Sequence, residues 1–206
     1  MKHKNQKEYA GFYEEMKWIQ PREAAACEAE RRALLNRLSK VVSWGFHDSK
    51  ADVSDLSEGC RLCGEGEWSC LFINGVCNAR CFYCPAKQDE RGEPVTSSVT
   101  FGNPEDYVAY LKKFNYKGAS ISGGEPFLTF ERTIGFIRKI RAEVGKDIYI
   151  WMYTNGILAT REKFVALRDA GLNEVRFDIS ATGYSWSTEA GGGDHRKYYG
   201  GNTCYP

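Results

Sequence analysis

Apolar and polar positions along this chain change period several times, and each change marks an element. From Pro21 to Ser43 the spacing is helical: Cys27, Leu34, Leu35, Leu38, Val41 and Val42 fall on one stripe, and Pro21 suits a first turn. His47 to Trp68 is polar and glycine-bearing and predicts a loop. Ser69 to Gly75 is a short apolar run that predicts a strand. Asn103-Pro104 offers a cap and first-turn proline for a helix to Phe114, with Val108, Leu111 and Phe114 inward. Gly118 to Ser122 predicts a second strand. Thr129 opens a helix to Val144, striped by Phe130, Ile134, Ile137, Ile140 and Val144 and closed by Gly145. Asp147 to Thr154 is a third strand, Thr160 to Ala170 a helix ended by Gly171, and Glu174 to Ser180 a fourth strand.

Repeating βα units of this kind imply parallel strands with helices on one face, as an open sheet or a barrel. Chemistry in such folds collects at the C-terminal ends of the strands. The chain divides into an N-terminal arm and helix (1–45), a cysteine-bearing loop (46–68), an α/β core (69–182) and an irregular tail (183–206).

Composition narrows the classes. The 206 residues are enough for one domain with a real core. With 28 basic and 27 acidic residues the net charge is +1, so no evident patch calls for nucleic acid. No apolar run approaches the roughly 18 residues of a membrane span. The start, Met1 to Glu8, lacks the apolar core of a secretory signal, and the expected location is the cytoplasm. The eight cysteines, several at C-x2-C spacing, then read as metal ligands rather than disulfides.

The strongest chemical signal follows the first core strand: Cys77-Asn78-Ala79-Arg80-Cys81-Phe82-Tyr83-Cys84-Pro85, a C-x3-C-x2-C run. Three thiolates this close can hold three irons of a [4Fe–4S] cube and leave the fourth open, whereas closed clusters take four cysteines. A zinc site would want tetrahedral sets of four, and pairing Cys60 and Cys63 with this run strands Cys77. A bacterial ferredoxin run places its x3 gap last and has one more cysteine.

This spacing, with an aromatic just before the third cysteine, resembles the signature of the radical SAM enzymes. The resemblance implies that Cys77, Cys81 and Cys84 are the catalytic cluster ligands. It also implies S-adenosylmethionine (SAM) on the open iron, and its reductive cleavage to methionine and a 5′-deoxyadenosyl radical that takes hydrogen from substrate. In that pattern Tyr83 lies against the adenine of SAM. The second strand ends in Ser122-Gly123-Gly124-Glu125-Pro126. Two glycines let backbone approach a ligand, and a carboxylate can accept from an ammonium group; a plain strand-to-helix turn is the bland alternative. The segment matches the G-G-E-P motif that contacts SAM's amino group, which implies that role for Gly123, Gly124 and Glu125.

The third strand ends in Tyr153-Thr154-Asn155-Gly156. Asn-Gly alone is a generic turn, but the activating enzymes of glycyl-radical enzymes carry a similar T-N-G. Their usual preceding aspartate, which helps hold a monovalent cation, is Tyr153 here. Arg176, Asp178 and Ser180 alternate with Val175, Phe177 and Ile179 and share one face. They either line the cavity or form a structural ion pair or a wet edge. By resemblance, Asn155 and Asp178 lie near SAM's ribose or the substrate, which in the activating-enzyme-like group is a glycine of a partner protein. A small molecule is the other substrate class. An electron donor such as flavodoxin or ferredoxin is the further partner implied.

Cys60, Cys63 and Cys70 suggest a second metal centre, with Cys27, His47 or Cys204 as a fourth ligand, or else plain loop cysteines. The expected fold is a partial parallel (β/α) barrel, with about four strands of the family's six and an N-terminal helical extension. After Ser180 the text loses all period, and the chain reads as stopping early. A frameshift near Tyr184 is one explanation, checked by sequencing the gene. Two rivals to the enzyme reading remain: a cluster carrier or electron-transfer protein, and a zinc-binding module.

Overall fold

The computed structural model describes residues 20–47, 49–51, 55–79, 81, 84 and 86–178. Two helices open it, α1 (Pro21–Ala26) and α2 (Glu28–Leu38), with no buried residue in either. The single packed helix expected over Pro21–Ser43 is therefore corrected. The chain turns at Cys27, and Leu34, Leu38 and Val41 of the apolar stripe stay exposed. A two-residue hairpin follows, β1 (Trp44–Gly45) with β2 (Lys50–Ala51).

The stretch expected to be loop from His47 to Trp68 contains a helix, α3 (Glu58–Glu65). Ser57 caps it by accepting from the Cys60 N–H, and Gly66 ends it in the left-handed region at φ 74°. Gly59 and Gly64 obscure it in the sequence, because glycine disfavours helix interiors. Here Gly59 is needed for space. A Cβ there would lie 2.6 Å from Arg176 Nη2 and 3.1 Å from the Trp151 ring.

Among the described residues the main sheet has six strands in the order β5-β4-β3-β6-β7-β8: β3 (Trp68–Phe72), β4 (Val95–Thr96), β5 (Val99–Thr100), β6 (Gly118–Ser122), β7 (Tyr149–Thr154) and β8 (Glu174–Phe177). Strands β3, β6, β7 and β8 run parallel, in chain order, as the βα repeat predicts. The antiparallel β4–β5 hairpin beside β3 was not legible, so the sheet is only mostly parallel. No closed barrel forms among the described residues.

Helices α4 (Pro104–Lys113), α5 (Phe130–Glu143) and α6 (Arg161–Ala170) link the parallel strands. Asn103 and Thr160 cap α4 and α6 as expected, accepting from the Asp106 and Lys163 N–H groups. A 3₁₀ turn, Pro126–Thr129, precedes α5, and Thr129 holds the N-cap position expected of it, although its side chain makes no capping hydrogen bond. The core lies between these helices and one sheet face, where Leu71, Ile121, Ile137, Ile140, Ile150 and Met152 are fully buried. Between α6 and β8 an apolar groove of about 570 Å³ is lined by Phe164, Val165, Leu167, Val175 and Phe177.

Helix α3 covers the other face. Its Leu62 approaches Gly118, and its Gly59 lies on Trp151, Arg176 and Glu174. Arg176 donates to Glu174, to the Tyr153 hydroxyl (2.7 Å) and to Ser57 Oγ (3.0 Å), with side-chain exposures of 11% for Arg176 and 2% for Glu174. Of the alternatives open for the β8 polar face, Arg176 takes the structural ion pair. Ile179, Ser180, the tail and the frameshift region lie outside the described residues.

Candidate active site

The ends of β3, β6 and β7 converge on the cysteine loop. Beyond β3, the chain from Ile73 to Val76 keeps pairing with the residues after β6. Ile73 N–H donates to the Ser122 carbonyl (2.9 Å), Gly124 N–H to the Asn74 carbonyl (2.8 Å) and Glu125 N–H to the Val76 carbonyl (2.8 Å). The two glycines are there for this contact. A Cβ on Gly124 would lie 2.0 Å from the Val76 oxygen, and one on Gly123, at φ +116°, 2.4 Å from the Asn74 oxygen. The backbone that the glycines admit is thus the segment running into Cys77.

The far side of the loop is strapped back. Gly75 N–H donates to the Arg91 carbonyl (2.9 Å) and Cys77 N–H to the Gln88 carbonyl (3.0 Å), while Gln88 Nε2 donates to the Cys81 carbonyl (3.1 Å). Cys84 N–H donates to the Cys81 carbonyl (3.1 Å). Arg132, from the first turn of α5, donates to the carbonyls of Ile73 (3.2 Å) and Gly92 (2.8 Å) and clamps strap and strand together. Asn74, buried at 3% exposure, donates to the Glu125 carbonyl (3.1 Å) and to Thr129 Oγ1 (2.6 Å).

Glu125 is 1% exposed, and its carboxylate points into the protein. Oε1 accepts from Phe127 N–H (3.0 Å) and Thr154 Oγ1 (2.7 Å), and Oε2 from Asn155 N–H (2.9 Å). Burial raises its pKa, and the Asn155 and Phe127 N–H groups and the Thr154 hydroxyl oppose that rise. The expectation that this side chain accepts an outside ammonium meets a carboxylate already engaged by three internal donors. A buried carboxylate needs such donors, and the charge of Lys163 adds a smaller pull in the same direction.

Asn155 joins the third strand end to the loop. Its Oδ1 accepts from Ile157 N–H (3.0 Å), which directs Nδ2 toward Asn78 Oδ1 (2.8 Å) and Cys77 Sγ (3.8 Å). Cys77 Sγ also accepts from Ala79 N–H (3.4 Å). Burial pushes the Cys77 thiol up to about 11, with Glu125, Cys81 and Cys84 adding negative charge nearby. Metal binding requires the thiolate and supplies the compensating charge.

Cys77, Cys81 and Cys84 are partly buried cysteines on one loop, none of them in a disulfide. Among the described residues no three His, Cys, Asp or Glu side chains are gathered as a formed metal site. Three soft sulfur donors on one strapped loop, one already accepting an N–H bond, fit an iron–sulfur cluster in donor chemistry. Cys60 and Cys63 lie on α3 and Cys70 on β3, and Cys27 is exposed. No gathered ligand set supports the second metal centre among the described residues. Asp178 stands at the end of β8, exposed, its N–H donating to the Thr154 carbonyl (2.9 Å). Tyr83 lies outside the described residues. Asn74, Gln88 and Arg132 were not singled out in the sequence. The Asn74-Gly75 pair just before the cysteines is the one local signal among them.

An α/β protein with a three-cysteine loop at the C-terminal strand ends is the class that fold and site define. The radical SAM superfamily matches residues 71–202, well over half of the chain, and the chain belongs to that superfamily. Membership brings the superfamily's cofactor pair, a [4Fe–4S] cluster and SAM. A Methanocaldococcus jannaschii protein, named as a candidate glycyl-radical enzyme activating enzyme, is 31% identical over 123 residues, 59% of this chain and 32% of its own length. The GTP 3′,8-cyclase of Listeria monocytogenes is 28% identical over 116 residues, 54% of this chain and 32% of its own. The chain thus spans about a third of the length of these relatives. Two crystal structures of BtrN, one in an open conformation and one in complex with AdoMet and 2-DOIA, cover 50% of this chain. They show TM-scores of 0.40 and identities of 21% and 23%. Among the described residues no helix is long and apolar enough to cross a membrane.

Proposed function

We propose that this chain carries the cluster- and SAM-binding part of a radical SAM enzyme of the activating-enzyme-like group. The observation that supports it most is the backbone ladder joining Asn74 and Val76 to Gly124 and Glu125, which fuses the C-x3-C-x2-C loop and the G-G-E-P segment into one rigid unit. In this reading Cys77, Cys81 and Cys84 hold the cluster by their thiolates. The Gly123-Gly124-Glu125 segment frames the methionine end of SAM and Tyr83 its adenine. Asn155 and Asp178, at neighbouring strand ends, face the ribose or substrate. When bound, the cluster supplies one electron that cleaves SAM to methionine and a hydrogen-abstracting 5′-deoxyadenosyl radical.

The protein's own contribution is placement. Arg132 and Gln88 hold the strap that shapes the cysteine loop, and Glu125 holds the end of β7 against it. The name of the relative from Methanocaldococcus jannaschii supports a glycine of a partner protein as substrate. A cytoplasmic setting and flavodoxin or ferredoxin as electron donor belong to the same proposal. The test is anaerobic reconstitution with iron and sulfide, reduction with dithionite in the presence of SAM, and assay for 5′-deoxyadenosine. Formation of 5′-deoxyadenosine that Cys81→Ala abolishes is the expected result. A cluster that leaves SAM intact points to a carrier, and zinc in place of iron points to a zinc-binding module.

A further inference from the structure

We infer that Asn155 is a positioning residue that sets the reduction potential of the cluster, by donating its side-chain N–H to Cys77 Sγ. The inference rests on the cluster assignment above and adds a role that the motif resemblance does not carry, since there Asn155 faces ribose or substrate.

The geometry leaves the amide little choice. Asn155 Oδ1 accepts the Ile157 N–H at 3.0 Å, so the oxygen faces its own turn and the NH₂ group faces the loop. The reversed amide would set NH₂ against a backbone N–H, donor against donor. The NH₂ group has two hydrogens and meets two acceptors, Asn78 Oδ1 at 2.8 Å and Cys77 Sγ at 3.8 Å. The backbone of Asn155 is fixed in turn, because its N–H donates to the buried Glu125 at 2.9 Å. Glu125 is itself fixed by Thr154 and Phe127. The donor is therefore held from both ends before any cluster arrives.

A sulfur ligand gains negative charge when a cluster takes up an electron. An N–H aimed at that sulfur stabilises the reduced state more than the oxidised one and raises the potential. Cys77 has the Ala79 N–H at 3.4 Å as a donor from its own loop. Asn155 adds a second from another strand, the kind of contact that changes with side chain rather than with loop conformation.

The measurement is an EPR-monitored redox titration of the reconstituted protein without SAM, alongside iron and sulfide analysis. Asn155→Ala is expected to retain its iron and to lower the reduced-to-oxidised ratio at fixed potential. A net hydrogen bond of roughly 0.5–1.5 kcal/mol corresponds to a two- to twelvefold change. Asn155→Asp, equal in shape but placing a carboxylate beside the thiolate, is expected to lower it further. Asn155→Gln, which keeps an amide donor, is expected to fall between wild type and Asn155→Ala. Should Asn155→Ala lose iron, Asn155→Leu, which fills a similar volume without a donor, decides the sign. Full iron content with unchanged potentials across the series overturns the inference alone. A wild-type protein that takes up no iron overturns the cluster assignment as well.

Discussion

Gly124 lies so close to Val76 that a methyl group in place of its hydrogen would stand 2.0 Å from the Val76 carbonyl oxygen. Val76 is one residue before Cys77, so this contact sets the spacing between the G-G-E-P segment and the cysteine loop. Backbone atoms on both sides leave nothing flexible to give way. Gly124→Ala is expected to push the loop off the sheet, cost about 1–3 kcal/mol as overpacking does, and abolish iron incorporation. Urea unfolding and iron analysis of the variant check both parts.

Glu125→Ala removes the acceptor for three internal donors, the N–H groups of Phe127 and Asn155 and the Thr154 hydroxyl. Orphaning buried donors costs about 1–3 kcal/mol each before relaxation. The variant is expected to lose at least about 2 kcal/mol of stability. If the side chain instead only bound SAM's ammonium, stability would be unchanged and SAM affinity alone would fall. Thermal melts with and without SAM separate the two.

Arg176→Met leaves Glu174 buried without its cation, and breaking such a pair from one side costs roughly 3–5 kcal/mol. The double change Arg176→Met with Glu174→Gln is expected to recover part of the loss. Equal instability in single and double variants would show that Arg176 and Glu174 do not stabilise each other as a pair. A double-mutant cycle in urea is the measurement.

The cysteines should separate cleanly. Ala at Cys77, Cys81 or Cys84 is expected to abolish the iron and sulfide content of the reconstituted protein. Ser at Cys60 or Cys63 is expected to leave that content unchanged. Iron loss in the second set would revive a metal centre between α3 and β3.

Alkaline pH offers a further check. Burial, with the Glu174 carboxylate alongside, pushes the Tyr149 phenol from 10.0 up to about 12. The folded protein then holds a proton that the unfolded chain releases, so stability is fully present below pH 10 and declines as pH rises toward about 12. Tyr149→Phe is expected to flatten that decline in urea titrations across the interval.

What the sequence made legible was whatever depends on neighbours along the chain. The strand Gly118–Ser122 and the Asn103 and Thr160 caps appear where expected, because turn chemistry and periodicity are local. Helix α3 was hidden because Gly59 answers to Arg176 and Trp151, residues that only the fold brings near. The β4–β5 hairpin was hidden because two-residue strands have no period to read and exist by pairing with β3. Within the site, the cysteine spacing and G-G-E-P could be read directly. The inward turn of Glu125 and the reach of Asn155 to Cys77 could not, since they join residues 30 and 78 positions apart.

That last separation has a consequence for biosynthesis. Ribosomes add about 5–20 residues per second, so the 78 positions from Cys77 to Asn155 take about 4 to 16 s to emerge. For that interval the nascent chain presents its thiols before the strand end that addresses them exists. Iron delivered during translation would meet an unfinished receptacle. Cluster loading is therefore expected to follow the joining of the third parallel strand to the sheet.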